Sequence, residues 1–413
     1  MFSKNEILIL CKVVDNFGDI GLVYRLARSI SDLRPNLKLT LVVSNLESFH
    51  KMANQIDPKK AVQDFKYKNS TWKILDWNLD NAEYESRFSP ADFPFSIILE
   101  CFQCGRPDWL EDILFSEDFT REVQILNIDY LTAEDYAEDF HLLKSGTRKT
   151  TIKKRFFMPG FTEKTGGLVI NEDLEATRLG RVGLCEVPLP LHCSSRADTP
   201  YATASQPLQS LARKEKDSRY SIFFFAYEDD CTAVVKGISD FQRKMRAIKP
   251  DFSVCVYLAE GKSSAPFEKA WNNYNSPFKI EKVPFLQQED FDSFILTMDF
   301  LFVRGEDSLA RACLSGLPFI WQAYRQDENY QLVKVNALIE RMKSYFADAE
   351  FKEIQDFWQN YNDYEKERDS EKLTKVLLSS ALKKNSGGFQ SFASQLHKNG
   401  NLAKKLLDFI DSL

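Results

Sequence analysis

Short, continuously apolar runs rich in β-branched and aromatic residues recur along this chain, separated by segments with helical periodicity. The first set is Ile7–Val13, Leu39–Val43, Trp72–Leu75, Ser96–Leu99 and Gln124–Asn127. The second set is Ser221–Phe225, Ser253–Tyr257, Phe278–Val283, Phe300–Val303 and Phe319–Trp321. Continuous rather than alternating hydrophobicity is typical of strands in parallel sheets covered by helices on both faces. Two such sets predict two doubly wound α/β domains.

The chain length agrees with two domains, because 413 residues are two to three times a typical domain. Residues 176–218 are rich in Pro, Ser, Ala and Arg and lack clear periodicity, which predicts a linker or an insertion. The predicted domains are therefore 1–175 and 219–389. From about Asp327 onward the pattern is that of amphipathic helices, the last of them at Asn401–Leu413.

The charge and hydropathy patterns exclude several classes of protein. Lys and Arg total 54 against 60 Asp and Glu, a net charge of −6, whereas binding along a nucleic-acid backbone requires a surplus of basic residues. No run approaches the roughly 18–20 apolar residues of a membrane span. The first residues, Met1 to Glu6, include an acid where a signal peptide carries its apolar run. We therefore expect a cytoplasmic protein without nucleic-acid or membrane partners.

The cysteines and histidines favour neither a metal site nor histidine-dependent catalysis. Eight cysteines are spread over the chain, and the C-x-x-C pair of Cys101 and Cys104 has no second pair, so reduced thiols are favoured over zinc. The four histidines form no H-x-x-x-H or H-E-x-x-H pattern, and no G-x-S-x-G motif is present. We expect chemistry based on carboxylates, with no metal and no cofactor.

The first strand-to-helix junction contains two acids and two glycines. A buried strand is predicted to end at Val14, and Asp15, Gly18 and Asp19 precede a helix that starts near Ile20. The spacing is not G-x-G-x-x-G, and the acids would repel a pyrophosphate. The turn therefore predicts contact with a cationic group or removal of a proton. The alternative is that Asp19 serves only as a helix cap or dipole partner.

The second junction carries an arginine before a helix predicted over Leu309–Leu314. Arg304 ends an apolar strand, and the amides of Glu306, Asp307 and Ser308 are predicted at the free amino end of the helix. Such an end binds phosphate, and an arginine beside it adds a permanently charged fork of donors. The junction predicts a nucleotide-sugar pyrophosphate site. Asp307 as a simple dipole partner is the alternative.

Aromatic residues follow two other strands of the second set. Phe285 offers a ring that can stack on a base, and Gln288 offers an amide that can hydrogen-bond to the edge of the base. The sequence is equally compatible with Phe285 packing in a core. Phe225 and Tyr227 can reach a ligand, whereas the two phenylalanines before them are expected in the core. The D-x-D pair Asp290 and Asp292 is interpreted as first-turn acids of a helix rather than as metal ligands.

Together these motifs closely resemble the EF-P (translation elongation factor P) arginine rhamnosyltransferases. The matching stretches are Val14-Asp15-Asn16-Phe17-Gly18-Asp19-Ile20-Gly21, Phe157-Met158-Pro159-Gly160-Phe161-Thr162, Thr165-Gly166-Gly167-Leu168, Val283-Pro284-Phe285 and Phe302-Val303-Arg304-Gly305-Glu306-Asp307-Ser308. The resemblance covers nearly the whole chain in the expected order and is weakest over 176–218. Gln287 stands where the family often has proline.

The resemblance implies a GT-B fold, in which two Rossmann-like domains face a central cleft and the C-terminal helix, from about residue 390, completes the N-terminal acceptor-binding domain. It implies an inverting glycosyltransferase, independent of metal, that moves L-rhamnose from dTDP-β-L-rhamnose to an arginine of elongation factor P. The implied catalytic residues are Asp19, Asp15 and Glu306, with Asp19 as the favoured general base. The implied nucleotide-sugar-binding residues are Phe225, Tyr227, Phe285, Gln288, Arg304, Glu306, Asp307, Ser308 and Gly18.

Two alternatives remain open from the sequence. One is a GT-B glycosyltransferase with a lipid or glycan acceptor, which the acidic turn and the lack of a membrane-docking stretch disfavour. The other is a non-catalytic nucleotide-sugar-binding adaptor, which the joint presence of Asp15, Asp19, Arg304 and Glu306 disfavours.

Overall fold

The computed structural model of the chain describes residues 4–14, 17–171, 219–382 and 387–413. Asp15 and the predicted linker or insertion at 176–218 therefore lie outside the described residues. The chain divides into two compact units, Met1–Asn171 together with Leu396–Leu413, and Glu172–Gln395.

The first unit is built on an eight-stranded sheet with the strand order β3-β4-β2-β1-β5-β6-β8-β7. The pairings among β4, β2, β1, β5, β6 and β8 are parallel, and only β3 and β7 at the two edges are antiparallel to their neighbours. The strands are β1 (Glu6–Cys11), β2 (Lys38–Val43), β3 (Val62–Tyr67), β4 (Ser70–Asp76), β5 (Ile97–Cys101), β6 (Val123–Ile128), β7 (Lys144–Ser145) and β8 (Ile152–Phe157).

Both faces of this sheet are covered, which is the physical reason for its continuously apolar strands. In β1, Ile7 and Ile9 belong to one buried cluster, whereas Leu8 and Leu10 belong to a second cluster. The helices of the unit are α1 (Gly18–Leu33), α2 (Leu46–Met52), α3 (Asn81–Arg87), α4 (Asp108–Phe115), α5 (Tyr136–Phe140) and, from the far end of the chain, α14 (Leu402–Ser412).

The C-terminal helix belongs to the first unit, as the resemblance implied. Leu402, Leu406 and Ile410 of α14 are buried in the same cluster as Ile7 and Ile9. A parallel bridge between Leu168 and Asn401 leads the chain into α14. Gly167 is required beside this bridge because its φ is +80° and a side chain there would collide with the carbonyl oxygen of Gly400.

The second unit contains a five-stranded sheet in which every pairing is parallel, with the order β11-β10-β9-β12-β13. Its strands are β9 (Arg219–Phe224), β10 (Ser253–Ala259), β11 (Lys279–Val283), β12 (Phe300–Arg304) and β13 (Phe319–Gln322). Its helices are α6 (Thr232–Ile248), α7 (Ser264–Asn273), α8 (Gln288–Ile295), α9 (Glu306–Ser315), α10 (Gln331–Lys343), α11 (Asp348–Asn362) and α12 (Ser370–Leu382), and the chain passes back to the first unit within α13 (Gly387–Asn399).

All ten predicted strands are present, but β3, β7 and β8 were not predicted. Strand β8 contains the consecutive cations Lys153, Lys154 and Arg155, so a hydropathy pattern does not predict a strand there. Lys154 is accommodated because its Nζ donates to the buried carboxylate of Glu100 at 2.8 Å. Within the described residues, no helix is long and apolar enough to span a membrane.

Candidate active site

The acidic turn lies at the carboxyl edge of the first sheet, where ligands bind in open α/β folds. Strand β1 ends at Cys11, and α1 begins at the half-buried Gly18. Asp19 is therefore in the first turn of α1, and only 2% of it is exposed. Helix α1 starts two residues earlier than predicted, and its N-cap residue is Phe17, which makes no side-chain capping bond.

Both carboxylate oxygens of Asp19 accept hydrogen bonds. The Val14 amide donates to Oδ2 at 2.7 Å, and the Tyr130 hydroxyl donates to Oδ1 at 3.3 Å. A position in the first turn of α1 also suits the helix dipole, so the dipole interpretation of Asp19 is compatible with a functional one. The result is a buried carboxylate oriented by two separate segments of the chain.

Two aromatic residues beside Asp19 were missed by the sequence analysis. Phe102 follows β5 and Tyr130 follows β6, and their rings stack with centroids 4.5 Å apart at an interplanar angle of 24°. Strands β1, β5 and β6 lie side by side in that order at the centre of the sheet. The sequence signal that could have identified them is an aromatic residue shortly after a buried parallel strand. The carboxyl ends of such strands lie at one edge of the sheet, where ligands bind.

In the second unit, Arg304 ends β12 and Gly305 forms the sharp turn into α9. Gly305 has φ +68° and ψ −174°, a conformation accessible essentially only to glycine. The guanidinium of Arg304 lies between two rings, 4.7 Å from the centroid of Phe225 and 4.6 Å from that of Tyr227. Among the described residues, the buried Arg304 Nε has no hydrogen-bond partner. The cation is thus held by stacking.

The amino end of α9 adds donors beside Arg304. The predicted helix at Leu309–Leu314 begins earlier, at Glu306, and ends at Ser315, followed by the left-handed Gly316. The first amides of a helix have no partner within it, and here they belong to Glu306, Asp307 and Ser308. The buried Ser308 hydroxyl donates to the Arg304 carbonyl, which ties the turn together. Arginine and helix amides together form a site suited to a diphosphate.

Tyr227 is positioned by the neighbouring strand β13. Its amide donates to Gln322 Oε1 at 2.7 Å. Its ring meets Tyr324 edge-on, with ring centroids 5.4 Å apart. Tyr324 follows β13 and is exposed, and it is a further residue of this edge that the sequence analysis missed.

The remaining predicted nucleotide-binding residues follow β11. Phe285 is 47% exposed, and Gln288 is buried as the first residue of α8. Phe223 and Phe224 are buried, which confirms their expected core role, whereas Phe225 is half-buried. The structure thus brings Phe225, Tyr227, Arg304 and the α9 amino end together, while Phe285 and Gln288 follow β11 at the edge of the same sheet.

The acids and thiols outside these turns have ordinary structural surroundings. Asp290 lies in the first turn of α8, and burial together with Glu289 raises its pKa. Burial also raises the pKa of Cys104 to about 11, so its thiol is protonated and a poor nucleophile at neutral pH. Among the described residues, no cluster of three or more His, Cys, Asp or Glu side chains is arranged to hold a metal ion.

The fold is that of the GT-B glycosyltransferases and of related sugar-nucleotide epimerases. A solved structure of EarP, which concerns EarP-mediated arginine glycosylation of elongation factor EF-P, has 18% identity and a TM-score of 0.54, with 99% of each chain covered. A putative UDP-N-acetylglucosamine 2-epimerase from Listeria monocytogenes has 13% identity and a TM-score of 0.53, with 99% of this chain and 96% of the other covered. These likenesses establish the fold.

The chain belongs to the Elongation-Factor P (EF-P) rhamnosyltransferase EarP family, whose model matches residues 7–411. A protein-arginine rhamnosyltransferase of Shewanella oneidensis is 29% identical over 369 residues, covering 86% of this chain and 84% of the relative. One from Pseudomonas putida is 28% identical over 355 residues, covering 86% of each. The predicted resemblance and the predicted GT-B class are confirmed, and the protein is a glycosyltransferase.

Proposed function

We propose that this enzyme transfers L-rhamnose from dTDP-β-L-rhamnose to one arginine side chain of translation elongation factor P, with inversion at the anomeric carbon. The family match over residues 7–411, which includes both strand-to-helix turns, carries the proposal. The names of the Shewanella and Pseudomonas relatives support arginine as the acceptor and rhamnose as the transferred sugar.

The second unit binds the donor in this proposal. Arg304 and the amides of α9 hold the diphosphate, and Ser308 keeps their turn in shape. The remaining residues assigned to the thymine and the neighbouring donor groups are Phe225, Tyr227, Phe285 and Gln288. The stacking of Arg304 between Phe225 and Tyr227 supports this assignment, because it fixes the cation before the diphosphate arrives.

The first unit supplies the acceptor site, with Asp15 and Asp19 in its turn, while Gly18 of the same turn is assigned to the nucleotide sugar. A guanidinium is a poor nucleophile because its lone pairs are delocalised and its pKa exceeds about 12. A carboxylate can bind it, direct one nitrogen at the anomeric carbon and accept a proton as the new bond forms. Asp19 is the general base in this proposal, and Glu306, with Asp307 beside it, supports the acceptor or the sugar hydroxyls.

The transfer is a single displacement. The arginine nitrogen forms a bond to C1 of rhamnose while the bond from C1 to the diphosphate oxygen breaks, and that electron pair leaves with dTDP. The nitrogen gives its proton to Asp19. Arg304 and the α9 amides stabilise the charge that develops on the leaving diphosphate, so the mechanism uses neither a metal nor a covalent sugar–enzyme intermediate.

The test is the intact mass of elongation factor P after incubation with this enzyme and dTDP-β-L-rhamnose, with no metal added. We expect the gain of one deoxyhexose, lost when the acceptor arginine is replaced by lysine. Configuration at C1 of the product, read by NMR, checks inversion. No mass change while dTDP still binds would refute the acceptor and leave a GT-B enzyme with a different one. A trapped sugar–enzyme adduct would refute direct displacement.

A further inference from the structure

Tyr130 is the second residue after β6, and it binds the carboxylate of Asp19 together with a backbone amide. Its hydroxyl donates to Oδ1, while the Val14 amide donates to Oδ2. The two donors come from segments that are far apart in the chain, and Asp19 itself is buried. The orientation of the carboxylate plane therefore depends on Tyr130 as well as on the turn that contains Asp19.

The ring of Tyr130 rests on Phe102, which is held in an unfavourable backbone conformation. Phe102 and Gln103 both have left-handed φ values, +59° and +50°. This conformation costs roughly 1–2 kcal/mol per non-glycine residue, and it persists only where the surroundings determine it. A tight turn after β5 thus places the Phe102 ring under that of Tyr130, with centroids 4.5 Å apart.

Three hydrogen bonds hold that turn against the end of β6. The Phe102 amide donates to the Ile128 carbonyl at 2.7 Å. The Gln103 amide donates to Asn127 Oδ1 at 3.1 Å, and its side-chain amide donates to Asp129 Oδ2 at 2.8 Å. The stacked pair is consequently built on two adjacent strands, and its position beside Asp19 is determined by the sheet.

Tyr130 differs from Asp19 in exposure, since 38% of the tyrosine is accessible to solvent. A buried carboxylate next to an accessible aromatic ring matches the two binding modes of a guanidinium, whose N–H edge pairs with carboxylates and whose plane packs on aromatic faces. An ammonium group lacks that planar surface. The combination favours arginine as the group recognised.

We propose that Tyr130 is a positioning residue for the acceptor arginine: its hydroxyl holds Asp19, and its ring, supported by Phe102, packs against the guanidinium plane. The inference rests on the proposed function, because it needs Asp19 to face that arginine. It assigns two separable roles to one side chain, and different substitutions remove them.

The experiment compares steady-state rhamnosyl transfer to elongation factor P by the wild type, Tyr130→Phe, Tyr130→Leu and Asp19→Asn. Tyr130→Phe removes only the hydroxyl, and we expect kcat to fall about three- to tenfold, with acceptor KM changed less than about twofold. Tyr130→Leu also removes the ring, and we expect acceptor KM to rise about tenfold as well. Affinity for dTDP and the melting temperature should stay at wild-type values in both.

Tyr136→Phe and Tyr136→Leu are the matched controls, because Tyr136 is a tyrosine of similar exposure, 44%, six residues further along the chain. These variants should transfer rhamnose with wild-type kcat and KM. Wild-type kinetics in both Tyr130 variants, or a loss that follows only a lower melting temperature, would overturn the inference. If Asp19→Asn is inactive in that case, the proposed function stands without it. If the wild type transfers no rhamnose, the proposed function fails and the inference fails with it.

Discussion

At the scale of single residues, the two candidate sites use opposite means to hold a charged side chain. Asp19 is buried and fixed by hydrogen bonds to both oxygens. Arg304 has a buried Nε without a hydrogen-bond partner in the described part of the chain and is fixed by two aromatic rings. Stacking leaves the outer donors of a guanidinium available to a ligand. In the proposed donor site, a diphosphate can therefore bind these outer donors directly.

Arg304→Lys is expected to weaken dTDP binding about tenfold, which corresponds to roughly 1.4 kcal/mol. The lysine keeps the positive charge but loses the planar fork and the stacking on Phe225 and Tyr227. Isothermal titration calorimetry with dTDP measures the effect. Arg325→Lys is the control, because Arg325 also packs on a ring, that of Tyr364, at 5.2 Å. Equal affinities for the wild type and Arg304→Lys would contradict the diphosphate role of Arg304.

At the scale of elements, both sites depend on the short turn between a parallel strand and the next helix. The turn from β12 to α9 needs Gly305, whose backbone angles a side chain disfavours. The turn from β1 to α1 is instead closed by a side chain, since Asp19 binds the amide of Val14. A glycine backbone conformation thus forms the turn from β12 to α9, whereas a side-chain hydrogen bond closes the turn from β1 to α1.

Gly305→Ala is expected to lower the free energy of unfolding by about 1–3 kcal/mol, because alanine strains the turn. It should also weaken dTDP binding, since the amides of α9 lose their alignment. Thermal denaturation and calorimetry check the two effects. Gly146→Ala is the control, because Gly146 has ordinary φ and open space around its Cα. A variant as stable as the control would show that the turn relaxes without cost.

His141 joins the end of α5 to the end of β8, and it makes stability depend on pH. Its Nδ1 accepts the Met158 amide at 3.2 Å, and burial, with a smaller effect of Lys405, lowers the pKa of His141 to about 4. Between that value and the ordinary one near 6.5, the unfolded chain binds more protons than the folded chain. Stability therefore rises with pH in this window and is lost on acidification.

From pH 7 to pH 4.5 we expect His141 to account for a loss of about 1–2 kcal/mol, reduced from the full shift by its partial exposure. Urea denaturation at the two pH values measures it. In His141→Gln this part of the pH dependence should disappear, whereas His50→Gln should retain it. An unchanged pH dependence in His141→Gln would assign the acid sensitivity to carboxylates alone.

At the scale of the whole molecule, the first unit is completed by the last residues of the chain. Arg34 at the end of α1 pairs with Asp411 of α14, and Leu406 of α14 is fully buried in the cluster that contains Ile9 of β1. Bringing residues so distant in sequence together costs conformational entropy, which their packing must outweigh. The first unit thus reaches its full stability only when α14 is packed on it.

Leu406→Ala is expected to lower the melting temperature of the first unit, with a loss of about 2–5 kcal/mol typical of a cavity in a core. Binding of dTDP, assigned to the second unit, should be unchanged at low temperature. Differential scanning calorimetry with and without dTDP distinguishes the two units. Lys404→Ala, at an exposed position of the same helix, is the control. Loss of dTDP affinity in Leu406→Ala would show that the units do not respond separately.

The sequence by itself determined the fold class and ten of the thirteen strands in the described residues, because parallel strands buried on both faces need apolar residues. It also located both strand-to-helix turns, since glycine and charged residues stand out after apolar runs. Strands β3, β7 and β8 were not predicted because each tolerates polar residues. Strands β3 and β7 lie at the edges of the sheet, and in β8 the cation of Lys154 binds Glu100. The roles predicted for Asp19, Glu306 and the nucleotide-binding residues remain predictions.

Only the tertiary structure decided which side chains meet. Tyr130 and Phe102 contact each other and approach Asp19 because β1, β5 and β6 are neighbours in one sheet. Arg304 lies between Phe225 and Tyr227 because β12 pairs with β9. Each of these contacts joins residues far apart in sequence. The periodicity of the sequence indicates which face of a helix or strand is buried. The order of strands in the sheet decides which side chains contact each other.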